Sequence, residues 1–220
     1  MISLARVSKT SGGVRVLDEI TLRVTQGECV RMTGEPGSGR TTLLRLIGTL
    51  IPPTSGELLI DGINAVTHPT AARRRIGYVS VEVVSGTRLR VDEYLEVAAR
   101  ARGTASGRRV ADAVRTCQLD PGADIGRLSV GSRLALAMAA VLVMAPPVIL
   151  IDDLAVADGP PAPLLDAVRE LRERGATLVI ACDAQNELSA LSSRIVALDR
   201  GRVREGLPTL RRSDEVAWAR

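Results

Sequence analysis

The sequence predicts an α/β protein with a mixed sheet core and an antiparallel β-part at its start. Three observations predict it. Residues 2–30 alternate apolar and polar residues in two runs, ISLARVSK and VLDEITLRV, split by Ser11-Gly12-Gly13, the pattern of antiparallel strands. A glycine-rich turn then joins a short strand to a helix. In the second half, strands alternate with helices, which requires a parallel sheet with crossover helices.

Along the chain, GECVRMTG reads as a strand entering that turn, and TTLLRLIGTL has apolar residues at helical spacing until IPPTSG ends it. GELLIDG is a short strand between turn residues, and RRRIGYVSVEVV is strand-like throughout. VDEYLEVAARARG and RRVADAVRTCQL are two amphipathic helices. SVGSRLALAMAAVLV is a helix, VILIDD a strand, LLDAVRELRERG a helix and TLVIACD a strand. NELSALS is helical, RIVALDRGRV forms a strand hairpin, and a tail follows.

Composition narrows the function. Of 220 residues, 45% are hydrophobic and 25% charged, which is globular rather than disordered. Aromatics are 1%, so the core is aliphatic and stacking platforms for single-stranded nucleic acid are lacking. Lys9 is the only lysine among 29 basic residues, so no single arginine marks a site. A net charge of +4 describes a solvated surface better than a nucleic-acid stripe. Cys29, Cys117 and Cys182 are far apart, with no metal or disulfide spacing, and fit a reducing compartment. The start, MISLARVSK, has no signal-peptide core. Leu134–Ile151 is 18 consecutive non-polar residues, near the length of a membrane span. Pro146-Pro147 and the following Asp152-Asp153 make it a buried helix and then a buried strand instead.

The chemistry concentrates in Gly34-Glu35-Pro36-Gly37-Ser38-Gly39-Arg40-Thr41-Thr42. It matches the phosphate-loop pattern G-x-x-x-x-G-K-[ST], except that Arg40 takes the lysine's place. Glycines there let backbone N–H groups point at phosphate, and the helix start adds a favourable dipole. Thr41 would offer a hydroxyl to Mg²⁺. The alternative is a glycine turn that merely caps a helix, and the loop alone does not decide.

VILIDD has the form of a strand ending in a metal-side carboxylate, Asp152, followed by Asp153. Upstream, Leu128-Ser129-Val130-Gly131-Ser132 looks like the LSGGQ signature of ATP-binding cassette (ABC) proteins. VLDEITLRVTQGECVRMTGEPGSGRTTLLRLI and PTSGELLIDG resemble the opening of such cassettes. IGYVSVEV resembles the segment entering their glutamine loop, and DRGRVREGLPTL their closing hairpin. LRVDEYLEVAARARG is similar to the first helix of the helical subdomain in type-2 drug and antibiotic exporters. The chain is thus identified as resembling an ABC nucleotide-binding subunit over nearly its whole length.

That resemblance implies a P-loop NTPase fold of the cassette type, with an antiparallel β-subdomain and a helical subdomain. It implies a nucleotide lobe over 1–80 and 129–205, a helical subdomain over 82–128 and a tail at 206–220. It implies ATP and Mg²⁺ as ligands. Nucleotide would contact Gly34 to Thr42, with Ser129 and Gly131 offered from an opposing cassette; Thr41 and Asp152 would serve Mg²⁺. The implied partners are a second cassette and a separate transmembrane subunit, which would meet the surface near Val81–Tyr94. The place would be the cytoplasmic face of a membrane, with no nucleic acid bound. The implied function is the nucleotide-binding subunit of a membrane exporter. The alternative is a non-hydrolysing cassette that acts as the silent or regulatory partner of an active cassette or membrane protein; a soluble cassette ATPase working on nucleic acid or ribosomes is weaker, since no basic arm is present.

Departures from the family pattern fall on the positions that do chemistry. The adenine-stacking aromatic falls near Thr10 or Ser11. Arg40 replaces a compact ammonium with a planar fork. Val81 stands at the glutamine, and Glu82 beside it would face the other way on an extended segment. Val130 and Ser132 alter the signature. Asp153 is one methylene shorter than the catalytic glutamate, and Cys182 stands at the switch histidine. Asp158 aligns with the dimer-contacting loop. Phosphoryl transfer depends on positioning and electrostatics, so the expectation is weak nucleotide binding with slow hydrolysis or none.

Overall fold

The computed structural model describes residues 1–84, 88–103, 107–152, 162–182 and 190–204. β1 (Ile2–Ser11) and β2 (Val14–Val24) pair antiparallel across Gly12-Gly13, both at positive φ. β4 (Ser55–Ile60) joins β1 on its other edge and β5 (Ile63–Asn64) follows, giving a four-stranded sheet in the order β2-β1-β4-β5. The second sheet contains β3 (Cys29–Thr33), β6 (Ile76–Val79), β7 (Val148–Ile151), β8 (Thr177–Ala181), β9 (Arg194–Asp199) and β10 (Arg202–Arg204). Its order is β10-β9-β3-β8-β7-β6, parallel except for the β9–β10 hairpin.

Buried parallel strands serve two cores at once, because side chains alternate faces. Val148 and Leu150 of β7 join α1 (Arg40–Ile47) and the antiparallel sheet in one cluster. Ile149 and Ile151 join the other, with α3 (Val91–Ala101), α4 (Gly107–Thr116), α5 (Val130–Met144) and α6 (Ala162–Glu173). α2 (Pro69–Arg73) leads into β6. α5 is apolar nearly all round and fills the second cluster, as a fully buried helix must. It stops at Ala145 in the left-handed conformation before Pro146. Among the described residues no helix is long and apolar enough to cross a membrane.

One expected strand is shorter than its pattern. β6 ends at Val79, and Val81–Val84 form a 3₁₀ turn rather than extended chain. Ser80 Oγ accepts from the Glu82 N–H at 3.2 Å and closes that turn. β-Branched residues mimicked a strand where a local hydroxyl bends the chain. Asp153, Asp158, most of NELSALS and the tail lie outside the described residues.

Candidate nucleotide site

β3 delivers the loop and α1 receives it. Ser38 N–H donates to the Glu35 carbonyl at 2.9 Å, and Leu43 N–H to Gly39 at 2.8 Å, the first bond of α1. Glu35, Pro36 and Gly37 are exposed, whereas Ser38 and Gly39 are buried. Two glycines are forced. Gly34 has φ 149, and a Cβ there would lie 2.3 Å from the Leu198 carbonyl oxygen and 2.6 Å from Ser38 Oγ. Gly39 has φ 102, and its Cβ would lie 2.9 Å from Leu17 Cδ2. The closing hairpin backs the loop: Gly201 donates to the Ser38 carbonyl at 2.9 Å and accepts from Asp18 N–H at 2.8 Å.

Three features fit a phosphate group. The cap of α1 is a glycine with no side-chain cap, and its first turn carries no acidic residue. First-turn N–H groups have no intrahelical acceptor, which favours an anion there. Ser38 Oγ is buried with no hydrogen-bond partner among the described residues, an arrangement that costs free energy unless a ligand satisfies it.

The metal side is assembled across the sheet. Asp152, 6% exposed, sits just past β7 and is tied by its N–H to the Val79 carbonyl at 3.0 Å. Thr41 Oγ1 donates to Asp152 Oδ1 at 3.1 Å. On the other oxygen, the Tyr78 hydroxyl donates to Asp152 Oδ2 at 2.6 Å. Burial, and then the Asp152 hydrogen bond and charge, push the Tyr78 phenol well above its usual range; neighbouring Arg45 pulls the other way. Hard oxygen donors suit Mg²⁺, which takes one or two protein oxygens plus phosphate and water rather than a protein cage. No cluster of three or more His, Cys, Asp or Glu stands among the described residues. Thr41 and Asp152 therefore fit the ion.

The remaining positions are placed less favourably for chemistry. Val81 packs half-buried against the helix-side cluster, and Cys182, 5% exposed, lies within it. Cys182 N–H donates to the Met32 carbonyl at 3.2 Å, so the residue continues β8 beside β3. Glu82 does not point away on an extended strand. The 3₁₀ turn carries it to Arg45, with 2.6 Å between Oε2 and the guanidinium. Ser129 N-caps α5, accepting from Ser132 N–H at 3.1 Å, and Gly131 is half-buried behind it. Val130 is 52% exposed at the tip. Thr10 donates its N–H to Thr54 Oγ1, and Ser11 is exposed at the β1–β2 turn. Arg40 opens α1 half-buried, and Thr42 follows Thr41 in its first turn. Sequence reasoning missed Tyr78, Arg45 and Gly201. The signal for Tyr78 was a lone phenol in an otherwise apolar strand, but its partner emerges only once β6 is known to pair with β7.

A glycine loop from β3 into α1, with a hydroxyl and a carboxylate converging below it, defines a P-loop cassette. A profile described as ABC transporter matches residues 17–156, and the chain belongs to that family as an ATP-binding cassette domain. The sulfate/thiosulfate import ATP-binding protein CysA of Rhodopseudomonas palustris is 32% identical over 93% of this chain. The daunorubicin resistance ATP-binding protein DrrA3 of Streptomyces coeruleorubidus is 31% identical over 92%. The chain spans 62% and 66% of the lengths of these two relatives. The dimeric structure of MJ0796, a bacterial ABC transporter cassette, superposes with a TM-score of 0.84 at 28% identity. That match covers 96% of this chain and all of the other.

Proposed function

We propose that this chain binds Mg²⁺-ATP at a degenerate site and hydrolyses it at or near background. It acts as the silent or regulatory cassette of a membrane transporter whose spanning part is a separate subunit. The loop Gly34–Thr42 holds the phosphates; Ser129 and Gly131 are presented to an opposing cassette. Thr41 and Asp152 hold Mg²⁺, which when bound neutralises phosphate charge. The nucleotide lobe is 1–80 with 129–205, and the helical subdomain is 82–128.

The observation that carries the reading is the fate of the water-side positions. Val81 and Cys182 are packed into an apolar cluster, where neither can orient a water or donate well to a γ-phosphate. Asp153, the position of the base, is a methylene shorter than glutamate, and an ångström of displacement is costly. Relatives named for import and for drug resistance match almost equally well, so transport direction is assigned to the membrane partner.

Steady-state phosphate release tests the proposal. The purified chain, alone and with a membrane partner, is expected to release phosphate at the rate of its Asp152→Ala variant. Robust turnover abolished by Asp152→Ala would overturn the degenerate reading.

A further inference from the structure

Asp152 is held at two points. Thr41 Oγ1 donates to one carboxylate oxygen at 3.1 Å and the Tyr78 hydroxyl to the other at 2.6 Å. A carboxylate accepts only, so two donors on opposite oxygens fix its plane, whereas one leaves it free to turn. The consequence reaches Thr41. With its proton committed to Asp152, its lone pairs are left for a cation.

The fold makes room for this phenol. Gly48, at the end of α1, has φ −67, which any residue adopts; the left-handed position is the next one, Thr49 with φ 58. A Cβ on Gly48 would lie 2.9 Å from Tyr78 Cδ2 and 3.1 Å from Cε2. No left-handed φ calls for this glycine; a side chain there would meet the ring first, and the Leu44 carbonyl oxygen at 3.1 Å. Arg45 of α1 pairs with Glu82 at 2.6 Å. The Glu82 side chain is 76% exposed, so that outer pair contributes little by itself.

We propose that Tyr78 is a positioning residue for the metal side of the site, fixing the Asp152 carboxylate so that Thr41 presents lone pairs to Mg²⁺. The inference rests on the nucleotide-site reading above.

The experiment is calorimetric titration of the full chain with ATP, once with Mg²⁺ and once with EDTA. Tyr78→Phe is expected to weaken Mg²⁺-ATP binding about tenfold, as for loss of one hydrogen bond to a charged group. It is expected to leave metal-free ATP affinity within about twofold, because the phosphate loop is untouched. Equal loss in both arms, or no loss in either, overturns the positioning role. If the unmodified chain binds no ATP in either arm, the functional reading fails on its own. Ligand-free crystal structures of the unmodified chain and Tyr78→Phe then decide the inference. A carboxylate that turns away from Thr41 supports it, and one that keeps its orientation overturns it.

Discussion

The two sides of the nucleotide site differ in what else their residues do. On the phosphate side, Gly34 is locked against Leu198 and Gly39 against Leu17. Gly34 cannot change without moving backbone, and Gly39 sits at a φ of 102 that side chains rarely adopt, whether or not nucleotide binds. On the water side, Val81 and Cys182 are members of, or packed on, the helix-side core. An apolar residue there improves burial at the expense of chemistry. Retention of a phosphate loop is therefore weak evidence for binding, because the fold demands it. The stronger support is what the fold does not demand: a buried Ser38 hydroxyl with no partner among the described residues, and a Thr41–Asp152 hydrogen bond at the start of α1.

The largest effect expected from breaking this contrast is on turnover. The variant Val81→Gln, Asp153→Glu, Cys182→His restores water positioning, base and switch together. It is expected to raise phosphate release by about 10³-fold or more, while each single change gains less than about tenfold. Adding Arg40→Lys then measures the phosphate side alone. A large further gain would show that this side is defective too.

The next effect is on stability. Gly34→Ala places a methyl 2.3 Å from a backbone oxygen at a φ of 149. A loss of about 3 kcal/mol or more is expected, seen as a fall of roughly 6–12 °C in thermal midpoint. Gly37→Ala, whose Cβ meets nothing within 4 Å at φ 82, should lose clearly less. Equal losses would mean that conformation, not packing against Leu198, holds the first glycine.

The smallest effect concerns the far end of the strand that delivers the loop. Burial raises the Glu28 carboxyl, but hydrogen bonds from Thr25 and Arg194 outweigh it and hold it below its ordinary 4.5. A depressed native pKa gives stability that is fully present above 4.5 and lost as pH falls through the native value. Glu28→Gln is expected to lower the midpoint by about 2–4 °C at pH 7. The difference from the unmodified chain should shrink on acidification below 4.5. A difference that grows with acid would reverse the assigned sign.

What the sequence made legible follows its physics. β3, the glycine loop and α1 were readable because a short strand runs into a glycine-rich turn and apolar residues at helical spacing follow. α5 and β7 were readable although they form one apolar run, because Pro146-Pro147 divides them. β5 and α2 span two and five residues, too few for a period to show. The turn at Val81–Val84 was misread because valines favour strands and one serine hydroxyl decided otherwise. The Tyr78–Asp152 contact was unreadable for a topological reason. It joins residues 74 apart, and only the pairing of β6 with β7 makes them neighbours.

The closing hairpin has a consequence for the chain as it is made. Gly201 is wedged so closely against β2 that a Cβ would lie 2.3 Å from the Val16 carbonyl oxygen, and Arg202 pairs with Asp18 at 2.6 Å. Arg202 follows Asp18 by 184 residues. At translation rates of about 5–20 residues per second, that gap is roughly 10–40 s. For most of that interval the phosphate loop has been made and its backstop has not. The loop is therefore backed only once the hairpin, the last pair of the described strands, has been made.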